Sequence, residues 1–263
     1  MVPEISDDDY IFYYKDNTLL LKCESDDYCI PQRKDFQSLK ELNGDVFLFT
    51  LNNHNCFLLD VCPEATTNKF AYQEISFFRT FSKKEVAWVS IVGHQLYTWY
   101  TQNRYCGKCG SKTILKTDER AIACTNCGHT VYPKISPAII VAIVNGDRIL
   151  LANNNNFRPN WYSLIAGYAD VGESLEETVK REVKEEVGIN VSNIKYYKSQ
   201  PWPFSGSMMI GFFAYADDKQ TIQTDNKEIS QAAWFKRGDL PNHPTNFSIA
   251  GEMIDLFENN QIP

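Results

Sequence analysis

Three glutamates, Glu182, Glu185 and Glu186, stand at positions i, i+3 and i+4 of one segment. In a helix this spacing places three carboxylates on one face. Glu182 and Glu186 then repel each other by roughly 0.2–0.5 kcal/mol unless a cation lies between them. Hard divalent cations such as Mg²⁺ and Mn²⁺ prefer oxygen ligands. The carboxylate face therefore indicates a metal site, although solvated helix charges are the alternative.

The segment carries its own helix boundaries, which predict a helix over Ser174–Val187. Ser174 and Glu177 match a capping box, and Gly188 suits a left-handed helix end. The remaining charges are predicted to form i,i+4 pairs on the solvent side, Glu176–Lys180 and Glu177–Arg181. The ordinary ion pairs of a solvent-exposed helix surface are thus predicted to form without Glu182, Glu185 and Glu186.

A second group with metal-binding spacing consists of two C-x2-C pairs separated by fourteen residues: Cys106, Cys109, Cys124 and Cys127. Two such pairs close a tetrahedral four-sulfur site with no open position, which predicts a structural Zn²⁺ in a zinc ribbon. Zinc ribbons can also bind nucleic acid, but few basic residues lie nearby (Lys108, Lys112, Lys116 and Arg120). The other cysteines lack ligand spacing and are predicted to be reduced thiols: Cys23, Cys29, Cys56 and Cys62.

The composition limits the class of protein. The 263 residues are 43% apolar and carry a net charge of −7, which permits a large core and disfavours general nucleic-acid binding. The N-terminal residues lack the pattern of a signal peptide. The longest apolar run, residues 138–144, is too short for a bilayer. We therefore expect a cytoplasmic protein.

Hydrophobic patterns supply the elements that must hold these groups. Strands are predicted at Tyr10–Tyr14, Thr18–Lys22, Val46–Thr50, Cys56–Val61, Pro137–Val144, Arg148–Ala152, Trp161–Ile165, Ile194–Lys198, Met208–Ala216 and Ala232–Lys236, with helices at Lys84–Asn103, Ser174–Val187 and Ile249–Glu258. The resulting plan is a mainly β N-terminal domain (1–83), a connector helix (84–103), the ribbon (104–131) and a C-terminal domain of mixed strands and helices (132–263). This arrangement is an α+β fold.

Residues 167–189 resemble the Nudix box, G-x5-E-x7-R-E-U-x-E-E-x-G-U, at every defined position, with Val183 and Ile189 in the aliphatic slots. The resemblance implies a Nudix-type α/β/α sandwich with a mixed sheet. It also implies hydrolysis of a nucleoside diphosphate linked to another moiety.

Residues 199–209, S-Q-P-W-P-F-S-G-S-M-M, resemble the S-Q-P-W-P-F-P-x-S signature of the NADH pyrophosphatase branch. Ser205 replaces the usual proline. From the residues alone, the prolines flanking Trp202 predict a stiff, extended loop that presents aromatic rings. Further similarities to the branch are Tyr132 to Pro137, Lys227-Glu228 before Ala233-Trp234, and Ser248 to Ala250.

The resemblance implies roles for individual residues. It implies Glu182, Glu186 and Glu228 as catalytic metal ligands, with the Ala166 carbonyl as a further ligand and Glu185 beside them. Tyr168 is similar to the aromatic residue that stacks on a base. The other implied substrate contacts are Tyr132, Gln200, Pro201, Trp202, Pro203, Phe204, Ser205, Gly206, Ser207, Ala250, Glu119 and Arg79. For Arg79, a plain surface arginine is an equal alternative.

The implied reaction converts NAD(H) and water into nicotinamide mononucleotide and AMP with two or three Mg²⁺ or Mn²⁺ ions. Removal of an NAD cap from RNA 5′ ends and a homodimer are also implied. Alternatives are a Nudix diphosphatase for ADP-ribose or a dinucleoside polyphosphate, and a zinc-ribbon RNA-binding module. Preference among NADH, NAD⁺ and NAD-capped RNA stays open at this stage.

Overall fold

The computed structural model describes residues 3–25, 27–36, 46–64, 69–156, 158–217, 219–224, 227–245 and 247–262. The chain divides into two compact units. The first comprises residues 1–134 together with 203–205, and the second comprises residues 135–202 and 206–263. No helix in the described ranges is long and apolar enough to cross a membrane.

Outside the ribbon, the described residues of the first unit form seven short strands and one α-helix: β1 (Tyr10–Phe12), β2 (Tyr14–Lys15), β3 (Thr18–Glu24), β4 (Asp27–Cys29), β5 (Val46–Leu51), β6 (His54–Leu58), β7 (Phe70–Glu74) and α1 (Lys84–Gln102). β1, β6 and β5 form one sheet, and β2, β3, β4 and β7 form another. The predicted strand Tyr10–Tyr14 is therefore wrong as a single element, because its two halves join different sheets. The buried side of α1 packs into the same apolar cluster as Phe12, Leu48 and Phe78.

Two asparagines turn the chain between β5 and β6. Asn52 and Asn53 have φ of +48° and +66°, the left-handed conformation that a two-residue hairpin requires. The turn thus occupies residues 52–53, and His54 already pairs with Leu51.

The ribbon is a three-stranded antiparallel sheet of β8 (Thr113–Leu115), β9 (Ile122–Cys124) and β10 (Thr130–Val131). Each strand is too short to form a core of its own. Only a few side chains in this segment are buried, among them Ala121 and Ile122, so we expect a metal to contribute much of its stability.

The second unit contains a six-stranded mixed sheet and two helices: β11 (Ser136–Asn145), β12 (Arg148–Asn154), β13 (Ile165–Tyr168), α2 (Leu175–Val187), β14 (Ser192–Trp202), β15 (Ser207–Tyr215), β16 (Ile229–Lys236) and α3 (Ile249–Glu258). The order is β14-β15-β11-β12-β16, with β13 also paired to β11. β11 and β15 are parallel, and the other pairs are antiparallel.

Strand β11 explains why the sheet lies between two helices. Successive side chains of a strand point to opposite faces. Ile139, Val141 and Ile143 share a cluster with the valines of α2. The alternate residues Ile140, Ala142 and Val144 share a cluster with Met253, Ile254 and Phe257 of α3. A strand buried on both faces reads as a continuous apolar run, and the predicted α/β/α sandwich is confirmed.

The predicted strand Trp161–Ile165 is wrong. The strand here is β13, which begins at Ile165, and Ser163 makes only an isolated bridge with Ala152. The backbone N–H of Tyr162 donates to the carbonyl of Asn242, and the carbonyl oxygen of Trp161 accepts from the side-chain Nδ2 of Asn153. These bonds draw the segment away from strand pairing.

The predicted extended loop at residues 199–207 is also wrong in part. β14 continues through Gln200 and Pro201 to Trp202, which pairs with Ser207. Only residues 203–206 form the turn, in which Gly206 has φ of +64°. Pro201 can take part in the pairing because proline is tolerated in edge strands, and β14 lies at the sheet edge.

Candidate active site

Helix α2 presents its glutamates from a well-defined scaffold. Ser174 Oγ accepts from the backbone N–H of Glu177, and the Glu177 carboxylate accepts from that of Ser174 at 2.8 Å, so the predicted capping box is confirmed. Gly188 ends the helix with φ of +75°. Val179, Val183 and Val187 are fully buried, and each contributes roughly 1.5–3 kcal/mol by leaving water. The helix is thereby fixed against the sheet, with Ile165 of β13 in the same apolar cluster as these valines.

Arg181 connects the glutamates of this face. Its Nε and Nη2 donate to the two carboxylate oxygens of Glu173 at 2.6 and 2.8 Å. Its Nη1 donates to Glu182 at 2.8 Å and to Glu185 at 3.2 Å, and Nη2 also reaches the carbonyl of Tyr168. The paired Glu173 carboxylate raises the pKa of the Arg181 guanidinium. Arg181 is therefore an orienting cation within a group of anions.

The predicted surface pair Glu177–Arg181 is wrong. Glu177 is engaged with Ser174, and Arg181 turns to Glu173 in the preceding loop. The hydrogen bonds from Arg181 lower the pKa of the Glu173 carboxyl to about 2. Helical spacing could not reveal this partner, because Glu173 lies before the first helical residue.

Glu182 is pressed against the backbone of β13. A Cβ placed on Gly167 would lie 2.1 Å from the Glu182 Cδ and 2.2 Å from its Oε1, so only glycine leaves room for this carboxylate. The side chain of Glu182 is 13% exposed. Burial raises the pKa of Glu182, Arg181 opposes that shift, and the charges of Glu185 and Glu228 add to it. A carboxylate so placed is stabilised by a cation.

The other predicted ligands vary in exposure. Glu186 is buried at 6% exposure, whereas Glu185 is exposed at the helix surface. Across the described part of the chain, only the cysteines bring three or more potential ligand atoms within 4.8 Å of one another. Glu182, Glu186 and Glu228 do not converge to that degree, as expected for carboxylates that repel each other. Their oxygen donors, with the Ala166 carbonyl, suit a hard divalent cation.

Tyr168 is the last residue of β13 and directly follows Gly167, the first residue of the box. Its hydroxyl is 3.1 Å from the hydroxyl of Ser207, and Ser207 is buried. Half of the Tyr168 side chain remains exposed. The residue lines an open cavity of about 340 Å³ together with Ala169, Asp170, Arg181 and Glu185. The structure thus brings the aromatic side chain of Tyr168 to the same cavity as Arg181 and Glu185.

Gln200 is bonded to the start of α3. Its Oε1 accepts from the backbone N–H of Ile249 at 2.7 Å, and its Nε2 donates to the carbonyl of Phe247 at 3.3 Å. Trp202 meets the Phe247 ring edge to face, and Ala250 is buried in the first turn of the helix. The predicted contacts Gln200, Trp202 and Ala250 therefore form one neighbourhood.

Further predicted substrate contacts lie in the first unit. Tyr132 donates to Glu119 at 3.3 Å, and Lys116 donates to the same Glu119 oxygen. The guanidinium of Arg79 lies 3.9 Å from the Phe204 ring centroid, and desolvation lowers its pKa. Arg79 is nevertheless exposed, so a plain surface arginine stays the alternative to a substrate contact. Pro203 is buried there, and Ser205 is exposed. The substrate roles of all these residues stay predictions.

The cysteine quartet has the geometry of a metal centre. The Sγ atoms of Cys106 and Cys127 are 3.7 Å apart, and Cys109 is 3.5 Å from both Cys124 and Cys127. Four sulfurs about 2.3 Å from a tetrahedral zinc lie about 3.8 Å from one another. Backbone N–H groups of Lys108 and Asn126 point to the sulfurs. These distances fit a structural zinc.

Three family models match successive parts of the chain. They are the NADH pyrophosphatase-like rudimentary NUDIX domain over residues 8–99, the NADH pyrophosphatase zinc ribbon domain over 102–132 and the NUDIX domain over 134–257. The model of the rudimentary NUDIX domain, over residues 8–99, includes most of α1. The predicted boundaries at 83/84 and 103/104 stay predictions.

Curated relatives include the NAD-capped RNA hydrolases NudC of Pseudomonas aeruginosa, 44% identical, and Pseudomonas entomophila, 48% identical, each over 164 residues. The match covers 62% of this chain and 58% or 59% of those relatives. The chain thus spans about three fifths of the length of the curated relatives it matches.

Among solved structures, a NUDIX hydrolase from Nitrosomonas europaea superposes with a TM-score of 0.51 at 18% identity. The superposition covers 60% of this chain and 92% of that one. At this identity the likeness concerns the fold alone.

Proposed function

We propose that this chain, which belongs to the Nudix hydrolase superfamily and to its branch with the NADH pyrophosphatase zinc ribbon, hydrolyses the pyrophosphate bond of NAD(H). The products are nicotinamide mononucleotide and AMP, and the reaction depends on Mg²⁺ or Mn²⁺. Curated relatives of similar sequence are named NAD-capped RNA hydrolases. The proposal therefore extends to NAD caps on RNA 5′ ends.

The single observation that carries the proposal is the position of Glu182. Its carboxylate lies on the backbone of Gly167, largely out of water, and the charges of Glu185 and Glu228 act on it. A protein would not hold several anions together for stability, because their repulsion in a partly desolvated site is costly. The arrangement is explained if these carboxylates bind cations that take part in the reaction of an anionic substrate.

Each side chain has a distinct task in the proposed reaction. Glu182, Glu186 and Glu228 hold the cations, and Arg181 orients Glu182 and Glu185 through its Nη1. Glu185, exposed at the cavity, is placed to accept a proton from the attacking water. Two or three Mg²⁺ or Mn²⁺ ions, when bound, would neutralise charge on phosphorus and lower the pKa of that water. Tyr168 offers its exposed ring for stacking on a flat heterocycle.

The proposal includes two further expectations: a homodimer, which the family resemblance implies, and a cytoplasmic location, which the sequence pattern predicts. Sedimentation velocity at micromolar concentrations tests the first. A single species near the 30.2 kDa chain mass would remove the dimer from the proposal and leave the chemistry in place.

The test of the reaction is product analysis with the purified, zinc-loaded full chain and NADH. Turnover is measured with Mg²⁺, with Mn²⁺, and after chelation followed by return of each ion. We expect AMP and reduced nicotinamide mononucleotide in equal amounts, lost on chelation and restored by Mg²⁺ or Mn²⁺ without added zinc.

Other outcomes separate the alternatives. If NADH stays intact while ADP-ribose or a dinucleoside polyphosphate is cut, the metal site stands and the substrate assignment fails. If no diphosphate is cut but RNA is retained by the protein, the RNA-binding alternative replaces the proposal.

A further inference from the structure

An asparagine-rich tract, Asn153 to Asn156, begins with the last two paired residues of β12 and has no role in the proposed chemistry. The register of β12 against β16 shifts between Asn153 and Asn154. The shift leaves Asn155 beyond the last paired residue, facing the chain just before β16. That chain carries Glu228, which is followed directly by the buried Ile229.

Asn155 binds this chain twice. Its backbone N–H donates to the carbonyl of Glu228 at 2.8 Å, and its side-chain Nδ2 donates to the carbonyl of Lys227 at 2.6 Å. Two donors from one residue thus engage two consecutive peptide groups. Together with the burial of Ile229, they define the backbone on both sides of the Glu228 Cα.

Asn153 is hydrogen-bonded to Ser230, the second residue of β16. Ser230 Oγ donates to the carbonyl and to the Oδ1 of Asn153 at 2.9 and 2.7 Å. The Nδ2 of Asn153 donates to the carbonyl of Trp161 at 2.6 Å. Residues 227–230 are therefore bonded to the end of β12 from both sides of Ile229.

We propose that Asn155 is a positioning residue for Glu228, holding its backbone so that the carboxylate faces the cation site. The inference rests on the proposed function, in which Glu228 is a ligand. Ligands outside the regular part of a strand depend on surrounding hydrogen bonds for their orientation. The Asn155 side chain provides such a bond to the residue that precedes the ligand.

The test uses the zinc-loaded full chain and Mn²⁺ as the probe. Mn²⁺ affinity is measured by titration calorimetry without substrate, and the Mn²⁺ concentration for half-maximal turnover is measured separately. Variants are Asn155→Ala, which removes the Nδ2 donor, Asn155→Asp, which places an anion against the Lys227 carbonyl, and Glu228→Gln. The matched control is Asn156→Ala, since the Asn156 side chain makes none of these bonds.

We expect Asn155→Ala to weaken Mn²⁺ binding by about 10-fold, the lower end for removal of a group that orients a ligand. The half-maximal Mn²⁺ concentration should rise by the same factor, while kcat at saturating Mn²⁺ changes less than about twofold. Asn155→Asp should weaken binding further, because a carboxylate cannot donate and repels the carbonyl oxygen. Asn156→Ala should match the unaltered chain.

Any of three results overturns the inference. If Glu228→Gln weakens Mn²⁺ binding and Asn155→Ala does not, Asn155 has no positioning role and the proposed function stands. If Glu228→Gln leaves Mn²⁺ binding unchanged, Glu228 is not a ligand, and the inference fails together with that part of the metal assignment. Unchanged Mn²⁺ affinity with a lower melting temperature in Asn155→Ala would likewise mean a purely structural role.

Discussion

The hydroxyl of Tyr168 lies 3.1 Å from the hydroxyl of Ser207, although 39 residues separate them in the chain. Their strands, β13 and β15, both pair with β11, where Tyr168 is opposite Ala138 and Ser207 is opposite Ser136. Ser207 is buried, whereas Tyr168 as a residue is 52% exposed. The Tyr168 side chain is thus held at its hydroxyl end although much of the residue is open to solvent.

This link predicts a coupled effect on substrate binding. Tyr168→Phe and Ser207→Ala should each raise KM for NADH about two- to tenfold, because an untethered ring must be ordered when NADH binds. This factor corresponds to the loss of one hydrogen bond, which contributes roughly 0.5–1.4 kcal/mol. The double variant should be no worse than either single variant. Additive losses in this double-mutant cycle would show that the two hydroxyls act independently.

The contact between Gly167 and Glu182 predicts a steric effect on turnover. In Gly167→Ala the new Cβ would meet the Glu182 carboxylate at 2.1–2.5 Å, so Glu182 must move and kcat for NADH should fall on the order of 100-fold. The control is Gly146→Ala, at a turn with φ of +59° and no atom within 4 Å of the new Cβ. It should lose about 1 kcal/mol of stability and keep its turnover. Equal kcat in both variants would contradict the proposed role of Glu182.

Neutralising a proposed ligand should abolish most turnover without unfolding the chain. Glu182→Gln and Glu186→Gln are each expected to lower kcat by about 10²–10³, the usual loss when a group that stabilises transition-state charge is removed. Glu176→Gln, at an exposed position of the same helix, is the matched control. Circular dichroism checks the fold. Near-native kcat in either ligand variant would remove that glutamate from the site.

The ion pair between Glu173 and Arg181 predicts a pH dependence of stability. The pKa of Glu173 is lowered from 4.5 to about 2, chiefly by hydrogen bonds from Arg181. A lowered carboxyl pKa stabilises the folded state above pH 4.5, and the contribution is lost as the pH falls toward 2.

We therefore expect the melting temperatures of Glu173→Gln and the unaltered chain to differ most above pH 4.5 and to approach each other toward pH 2. Comparing the two proteins at each pH cancels the separate effect of acid on the zinc site. A difference that stays constant between pH 5 and pH 2 would show that Glu173 is not an ionised partner of Arg181.

The cysteine quartet predicts one tightly held zinc per chain. Cys124→Ser should reduce bound zinc, measured by atomic emission, and lower the melting temperature by several degrees, since binding energy in a small ribbon is folding energy. Cys62→Ser removes an exposed thiol outside the quartet and should leave the zinc content unchanged. Full zinc content in Cys124→Ser would exclude that cysteine as a ligand.

The sequence by itself determined the features that depend on neighbours along the chain. The bounds of α2 follow from Ser174, Glu177 and Gly188, because capping bonds join residues three or four apart. The zinc site follows from two C-x2-C pairs, because each knuckle is a local turn. The burial of residues 138–144 on both faces was visible as an unbroken apolar run.

The tertiary structure decided the partners that come from other strands and loops. Arg181 bonds to Glu173 rather than Glu177, and Asn155 reaches the backbone around Glu228 across 72 residues. β13 begins at Ile165, and β14 extends through Pro201. These outcomes depend on which strands lie beside β11 and in which register. Register is set by burying apolar side chains on both faces at once, so the pattern of any single strand leaves it undetermined.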